Sequence, residues 1–265
     1  QERQYDCGFP TIAEAAKNLG CQVYQTKYIP FSDGPDENIP FPNGPICVIS
    51  HGSIQFIRQI QRWYTEWCPG AYFDSKTKSF STFAAHYGSD MLNDEFYMLP
   101  YGEFVRRGLK EGERVFIKPN AGFKEFTGKV IAWDNFNEET NSMKQIEIVD
   151  PESLIIVAPV KDIKAEFRYV IVNGKVITGS EYRWDNTLDV RVDTLPECDD
   201  MAWKVAKHEW QPDYAYVCDI AMTESGPKII ELNAFSSSGL YACDTNKIVK
   251  AISDMAWKEC NGDQD

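Results

Sequence analysis

Two acids set inside apolar strand runs constrain this chain more than any other feature. Asp219 lies in YAYVCDIAM (214–222), and Glu231 lies in PKIIELNAF (227–235) directly behind Ile229-Ile230. Ser225-Gly226 between the runs reads as a turn, so the pair forms an antiparallel hairpin. Side chains alternate across a strand, which puts Glu231 and Asn233 on one face and lets the partner strand set Asp219 opposite them. A carboxylate among apolar residues needs a partner or a cation. Two carboxylates and an amide oxygen make a hard-oxygen set suited to Mg²⁺, which keeps other positions for water and substrate phosphates. A solvated sheet face is the other reading that spacing leaves open.

The remaining elements follow from periodicity and punctuation. TIAEAAKNL (11–19) reads as a helix with Thr11 and Glu14 as a capping box, ended by Gly20 and followed by a strand at 21–25. Prolines at 30, 35, 40, 42 and 45 make 29–45 a loop. ICVIS (46–50) is a buried-strand candidate. After His51-Gly52-Ser53, the stripe Phe56, Ile57, Ile60, Trp63, Tyr64 and Trp67 predicts a helix reaching Trp67. Beyond Pro100 the chain turns to strands: 114–119, 127–133, 144–150, 153–160, and 165–172 with 175–184 joined by Asn173-Gly174. Asn-Gly is a strong two-residue hairpin signal. A helix near 199–210 precedes the acidic hairpin, and Asp244 or Thr245 caps a last helix with Ile248, Ile252 and Met255 on its buried side.

Composition narrows the function. The 265 residues carry a net charge of −13 with 43% apolar and 13% aromatic residues, which suits a folded chain of about two domains. The longest apolar run, Leu154–Val160, is far short of the roughly 18 residues of a membrane span. The acidic balance argues against non-specific binding to nucleic acid, which needs clustered cations. Eight cysteines include no C-x-x-C pair, and with three histidines they offer no pattern for structural zinc. Reduced thiols in an intracellular protein are expected, with Cys47 and Cys218 as small buried hydrophobes. No histidine has a Ser or Cys partner in a recognisable hydrolase motif. His51-Gly52-Ser53 reads as an N-cap, or as an anion site at a helix start.

Two further segments carry chemistry. VFIKP (115–119) and NAGFKEFTGK (120–129) place Lys118 at a strand end and Lys124 in a glycine-bearing turn. Such lysines could hold polyphosphate as point charges, although the P-loop pattern is absent and a plain hairpin with solvent-facing lysines also fits. In Glu166-Phe167-Arg168, the acid and the arginine share a face, as a phosphate-binding arginine or as an ordinary cross-strand ion pair.

Taken in order, Lys118, then Glu166 and Arg168, then Asp219, Glu231 and Asn233 resemble the ATP-grasp superfamily, and the chain is similar to ATP-grasp proteins of bacteria and their phages. The resemblance implies an α+β fold: a small α/β N-terminal domain (1–94), then an ATP-grasp domain (95–265) of two lobes, about 95–157 and 158–265, clasping ATP. It implies that Lys118 holds phosphates and that Lys124 closes over the γ-phosphate. The backbone of Ile156, Val157, Ala158 and Pro159 would be the hinge binding adenine, with one N–H missing at Pro159. Glu166 matches the ribose ligand, Arg168 the group facing the transferred phosphate, and Asp219, Glu231 and Asn233 the ligands of two magnesium ions. Ser236-Ser237-Ser238-Gly239 would lie near the acceptor, with Arg183 as a further substrate contact. The upstream basic contact of many members has no clear match; Arg106, Arg107 and Lys110 are candidates.

The activity so implied is an ATP- and Mg²⁺-dependent carboxylate–amine ligase working through an acyl phosphate. Lys124 and Arg168 would be catalytic, and the carboxylate and amine would belong to small molecules or peptides. The alternatives are an ATP-grasp kinase acting on a small-molecule hydroxyl and a non-catalytic nucleotide-binding module. The location expected is the cytoplasm of a bacterium or of a phage-infected cell.

Overall fold

The computed structural model describes residues 8–26, 41–42, 44–74, 76–122 and 125–262. In chain order the elements are α1 (Ile12–Asn18), β1 (Cys47–Ile49), α2 (Ile54–Trp63), β2 (Cys68–Gly70), α3 (Phe80–Tyr87), β3 (Tyr97–Pro100), α4 (Tyr101–Arg107), β4 (Arg114–Pro119), β5 (Lys129–Ala132) and α5 (Phe136–Ser142). There follow β6 (Leu154–Pro159), β7 (Ala165–Val172), β8 (Lys175–Trp184), β9 (Thr187–Arg191), α6 (Pro196–Ala206), β10 (Ala215–Thr223), β11 (Gly226–Ala234) and α7 (Thr245–Asn261). This mixture is α+β. The elements divide between two compact units, Gln1–Asp74 with Ile163–Asp265, and Ser75–Asp162. Residues 1–74 therefore share a unit with the C-terminal half of the chain.

In the first unit a five-stranded sheet runs β11-β10-β7-β8-β9, every pairing antiparallel. Alternation along β7 and β10 gives the sheet two faces of different use. Phe167, Tyr169, Tyr216, Cys218 and Ile220 are buried on the α6 side, where the Tyr169 hydroxyl donates to Asp199 at 2.8 Å. Val170, Val172, Ala215 and Val217 point the other way and pack with Tyr72, Phe235, Ile248, Ile252 and Met255. The Asn173-Gly174 turn holds φ of 47° and 68°, the left-handed geometry that such a hairpin requires. Asp244 caps α7 by accepting from the Asn246 and Lys247 N–H groups at 3.1 and 3.2 Å, and Ile248, Ile252 and Met255 form its buried stripe as the spacing requires. Thr11 and Glu14 close the capping box of α1.

The second unit centres on a four-stranded sheet, β3-β6-β4-β5, around Phe104, Ile117, Ile131, Met143 and Ile155. Here β6 is an inner strand, paired with β3 on one side and β4 on the other.

Several sequence expectations fail for identifiable reasons. Residues 21–25 form no strand, because no strand among the described residues pairs with them and Cys21, Gln22 and Gln25 are exposed. The helix expected to reach Trp67 ends at Trp63. Tyr64 leaves helical geometry so that its ring stacks on Trp67 at 4.0 Å, and the indole N–H donates to Pro42 O at 3.0 Å. Residues 144–150 are not a strand either. After α5, which periodicity missed, 143–147 forms a π turn, and Ile146 and Ile148 stand 77% and 79% exposed, so their spacing marks no buried face. β1 forms as expected, but among the described residues it pairs only with β2, in parallel, and Cys47 is exposed rather than buried. Most of the proline-rich stretch, 27–40 and Asn43, lies outside the described residues. No helix among the described residues is long and apolar enough to cross a membrane.

Candidate functional site

The register of the five-stranded sheet builds the site. Arg168 on β7 is paired with Asp219 on β10, and Asp219 with Glu231 on β11, giving a row across three strands. A bulge follows Asp219, where Ile220 pairs with Ile229, so the row sits at an irregularity in the ladder. Asn233 is two residues beyond Glu231 on the same strand. The four side chains form one hydrogen-bonded chain. Arg168 Nε and Nη2 donate to Asp219 Oδ1 and Oδ2 at 2.8 and 2.7 Å, a bidentate pairing. Asn233 Nδ2 donates to Asp219 Oδ2 at 3.0 Å and to Glu231 Oε1 at 2.9 Å. Asp219 is 2% exposed and Arg168 8%.

Electrostatics follows from this burial. Loss of water opposes the Arg168 charge, but Asp219 outweighs it and raises the guanidinium pKa above its ordinary value. Arg168 also lies over the Tyr241 ring at 4.8 Å, and Tyr241 stacks on Tyr182 at 4.6 Å with only 4° between the planes. Tyr241 holds φ of 49°, unusual for a bulky residue. The Tyr182 hydroxyl donates to Glu166 Oε2, and Arg183 Nη1 lies 3.5 Å from Glu166 Oε1. Burial raises the Glu166 carboxyl pKa; the Tyr182 hydrogen bond and Arg183 pull it down, and Asp219 and Glu231 add to the rise. Burial likewise drives the Tyr182 phenol well above its usual value, helped by the charges of Asp219 and Glu166.

The donor set fits a divalent cation. Asp219, Glu231 and Asn233 converge within hydrogen-bond reach of one amide group, and two carboxylates with an amide oxygen are hard ligands. The amide presents its NH₂ to both acids; a cation there would take its oxygen, the other end of the same group after a half-turn.

The small-residue loop after β11 is held from three directions. Gly52 N–H donates to Ser236 O at 2.8 Å, and Tyr72 N–H to Ser236 Oγ at 2.9 Å. His51 Nε2 contacts Ser238 O at 3.1 Å, where the ring nitrogen must be the donor because a carbonyl only accepts. Arg168 Nη1 donates to Gly239 O at 2.7 Å. Ser236 and Ser238 are buried, Ser237 is half-buried and Gly239 exposed. Ser53 does cap α2, accepting from Phe56 N–H at 3.2 Å, while the two residues before it brace this loop.

In the second unit Lys118 ends β4 opposite Ile156, its ammonium 5.4 Å from the Phe80 ring centroid. Asn120 binds the start of α3 twice, accepting from Phe80 N–H at its carbonyl and from Ser81 N–H at Oδ1, each at 2.9 Å. Gly122 lies so near Lys78 that a Cβ there would meet Lys78 Cβ at 2.6 Å and its carbonyl oxygen at 2.9 Å. Lys124 lies outside the described residues. Of the hinge residues, Ile156 and Val157 have strand partners on both sides, Ala158 and Pro159 only in β4 among the described residues. Arg106 and Arg107 bind Glu103 at 2.6 and 2.7 Å on the exposed side of α4.

A family model described as an ATP-grasp domain, the second family of its clade, matches residues 100–251, more than half of the chain. This chain belongs to the ATP-grasp superfamily. Solved structures of the fold agree. An ATP-grasp RimK domain protein from Sphaerobacter thermophilus superposes with a TM-score of 0.59 at 12% identity, covering 94% of this chain and 96% of its own. D-cycloserine synthetase DcsG superposes at 0.55 with 13% identity, covering 92% and 93%. No curated protein sequence matches the chain.

On this ATP-grasp chain the structure joins Arg168, Asp219, Glu231, Asn233, Glu166 and Arg183 into one polar cluster and ties Gly239 to it through Arg168. Reasoning from sequence missed His51, Tyr72, Tyr182 and Tyr241 around that cluster, and Lys78 beside the Gly122 turn. Only His51 carried a signal, its place before a capped helix. Lys78 is just 6% exposed, and its burial beside Gly122 has no counterpart in local spacing.

Proposed function

We propose that the protein is an ATP- and Mg²⁺-dependent ligase that joins a carboxylate to an amine. The observation that carries the reading is the buried Arg168–Asp219–Asn233–Glu231 chain, a preorganised cluster of charge on an otherwise apolar sheet. Asp219, Glu231 and Asn233 would hold magnesium, which when bound neutralises the charge of the nucleotide phosphates. Lys118 supports the phosphates as a point charge, Lys124 closes over the γ-phosphate, and Glu166 takes the ribose hydroxyls. The backbone around Ile156–Pro159 takes adenine. The pairings favour Ala158 and Pro159, whose β3 side has no strand partner among the described residues.

In the reaction the carboxylate oxygen attacks the γ-phosphorus and ADP leaves, giving an acyl phosphate. The amine nitrogen then adds to the acyl carbon and phosphate departs. Exclusion of water protects the intermediate from hydrolysis. Arg168 acts chiefly by placing the Asp219 carboxylate and the Gly239 carbonyl, since its Nε, Nη1 and Nη2 all serve them. Acceptor recognition belongs to the 180–190 and 234–243 loops with the N-terminal residues that brace them; Arg183, Ser237, Ser238 and Gly239 are its candidates. We place the ATP-grasp region at 95–265, following residues 1–94.

Phosphate release from MgATP, screened against pooled amino acids, polyamines and small carboxylates, tests the reading. Asp219→Asn or Glu231→Gln should lower turnover by at least about 100-fold, the scale of losing one preorganised electrostatic contact. Near-normal turnover in either variant would sink the assignment. Product mass decides the reaction type: a ligase product is the sum of acid and amine less water, whereas a kinase product keeps the phosphate.

A further inference from the structure

Three cysteines far apart in sequence meet on the first unit, away from the carboxylate cluster. Cys47 and Cys68 are direct partners in the parallel β1–β2 pair. Cys260, in the last turn of α7, places its sulfur 2.8 Å from Cys68 O, and its thiol is hydrogen-bonded to the thiols of both Cys47 and Cys68. Cys47 is exposed and the other two are half-buried, whereas Cys198, Cys218 and Cys243 are buried. One thiol of the trio is thus open to a solvent oxidant with a second already in contact, the arrangement in which an oxidised sulfur is resolved by its neighbour.

We propose that Cys260 is an oxidative cross-linking site, forming an intramolecular disulfide with Cys47 or Cys68 that ties the end of α7 to the β1–β2 pair. With a peroxide as oxidant the atoms balance in two steps. The first sulfur takes one peroxide oxygen to become S–OH, releasing water. The second thiol's sulfur then displaces that hydroxyl as a second water, and the S–S bond forms. Two electrons pass to the peroxide, and both thiol protons leave in the waters. The third thiol can exchange the bond between Cys47 and Cys68, since it lies against the sulfur that both would share. Burial raises the pKa of Cys47 and of Cys260, which keeps the thiols protonated at neutral pH, so the bond forms slowly and under sustained oxidant. Once formed it closes a very long loop, 192 residues apart for Cys68 and Cys260, and so restricts the unfolded chain strongly.

The test is peptide mapping of the folded, full-length protein after exposure to hydrogen peroxide, with free thiols alkylated under denaturing conditions and digestion without reductant. The expected result is a cross-linked peptide pair that contains Cys260 with Cys47 or Cys68, two hydrogens lighter than its reduced parts, with Cys198, Cys218 and Cys243 still alkylated. The oxidised monomer should melt at a higher temperature, dithiothreitol should reverse the shift, and Cys260→Ser should abolish both shift and cross-link. Complete alkylation of the trio, unlinked sulfinic or sulfonic acids, a Cys47–Cys68 bond or a bond between two chains would each overturn the proposal.

Discussion

The two ends of one sheet face, built on the same strands, do opposite work. Toward one end of β7 and β10, Val170, Val172, Ala215 and Val217 disappear beneath Tyr72, Phe235 and the stripe of α7. Toward the other, Arg168 and Asp219 occupy the same alternating positions and are nearly as buried, yet are joined by charge-assisted hydrogen bonds to Asn233 and Glu231. At the apolar end a side chain contributes by area and fit. At the polar end each group is tolerable only because its partner is there. A sheet can therefore hold a charged site within a hydrophobic layer, provided that every member of the cluster is satisfied.

Breaking the polar end should give the largest change. Asp219→Ala leaves the Arg168 guanidinium buried without its counter-charge, and a loss of about 3–5 kcal/mol in urea unfolding is expected. Replacing both partners, Asp219→Leu with Arg168→Met, should cost much less than the single change, because no uncompensated charge then remains. If the double variant is the less stable of the two, the pair does not behave as a compensated unit.

At the apolar end the expected cost is somewhat smaller and purely one of packing. Ile252→Ala, at a position 3% exposed, should lower stability by about 2–5 kcal/mol while ATP turnover per folded molecule stays unchanged. Loss of turnover in the folded fraction would show that the two ends are functionally joined.

The smallest effect is one of pH and belongs only to the polar end. Glu166 has its carboxyl pKa raised by burial, so the folded chain binds more protons than the unfolded chain between the unfolded and folded pKa values. Stability contributed by this group should therefore fall as pH rises through that window. Glu166→Gln should flatten this part of the stability–pH curve, whereas Ile252→Ala should leave its shape intact. Equal slopes in wild type and Glu166→Gln would remove Glu166 as the source.

The strands that carry the site could be read from local pattern because each rests on short-range rules. The Asn173-Gly174 hairpin, the turn at Ser225-Gly226 and the alternation through Asp219 and Glu231 are fixed within a few residues. Where the local pattern misled, an environment far away in sequence decided. The apolar spacing of Ile146 and Ile148 implied a buried face, yet both are exposed after α5. Trp67 left its expected helix to stack on Tyr64 and to donate to Pro42. Residues 21–25 had a strand's composition, but no strand among the described residues completes them.

Sequence by itself determined the order Lys118, Glu166 and Arg168, then Asp219, Glu231 and Asn233. With that order came the α+β family, because strand alternation and motif order survive in one dimension. Tertiary structure alone decided what those residues meet. It set Arg168 against Asp219 and Gly239 through contacts spanning 51 and 71 residues, and His51 against Ser238 across 187. It also brought Cys260 to Cys68 across 192 residues, although the cysteine spacings alone suggested no cluster. The physical reason is the same throughout: a side chain's partners are chosen by strand register and helix packing over the whole fold, and neither is encoded within one turn or one strand.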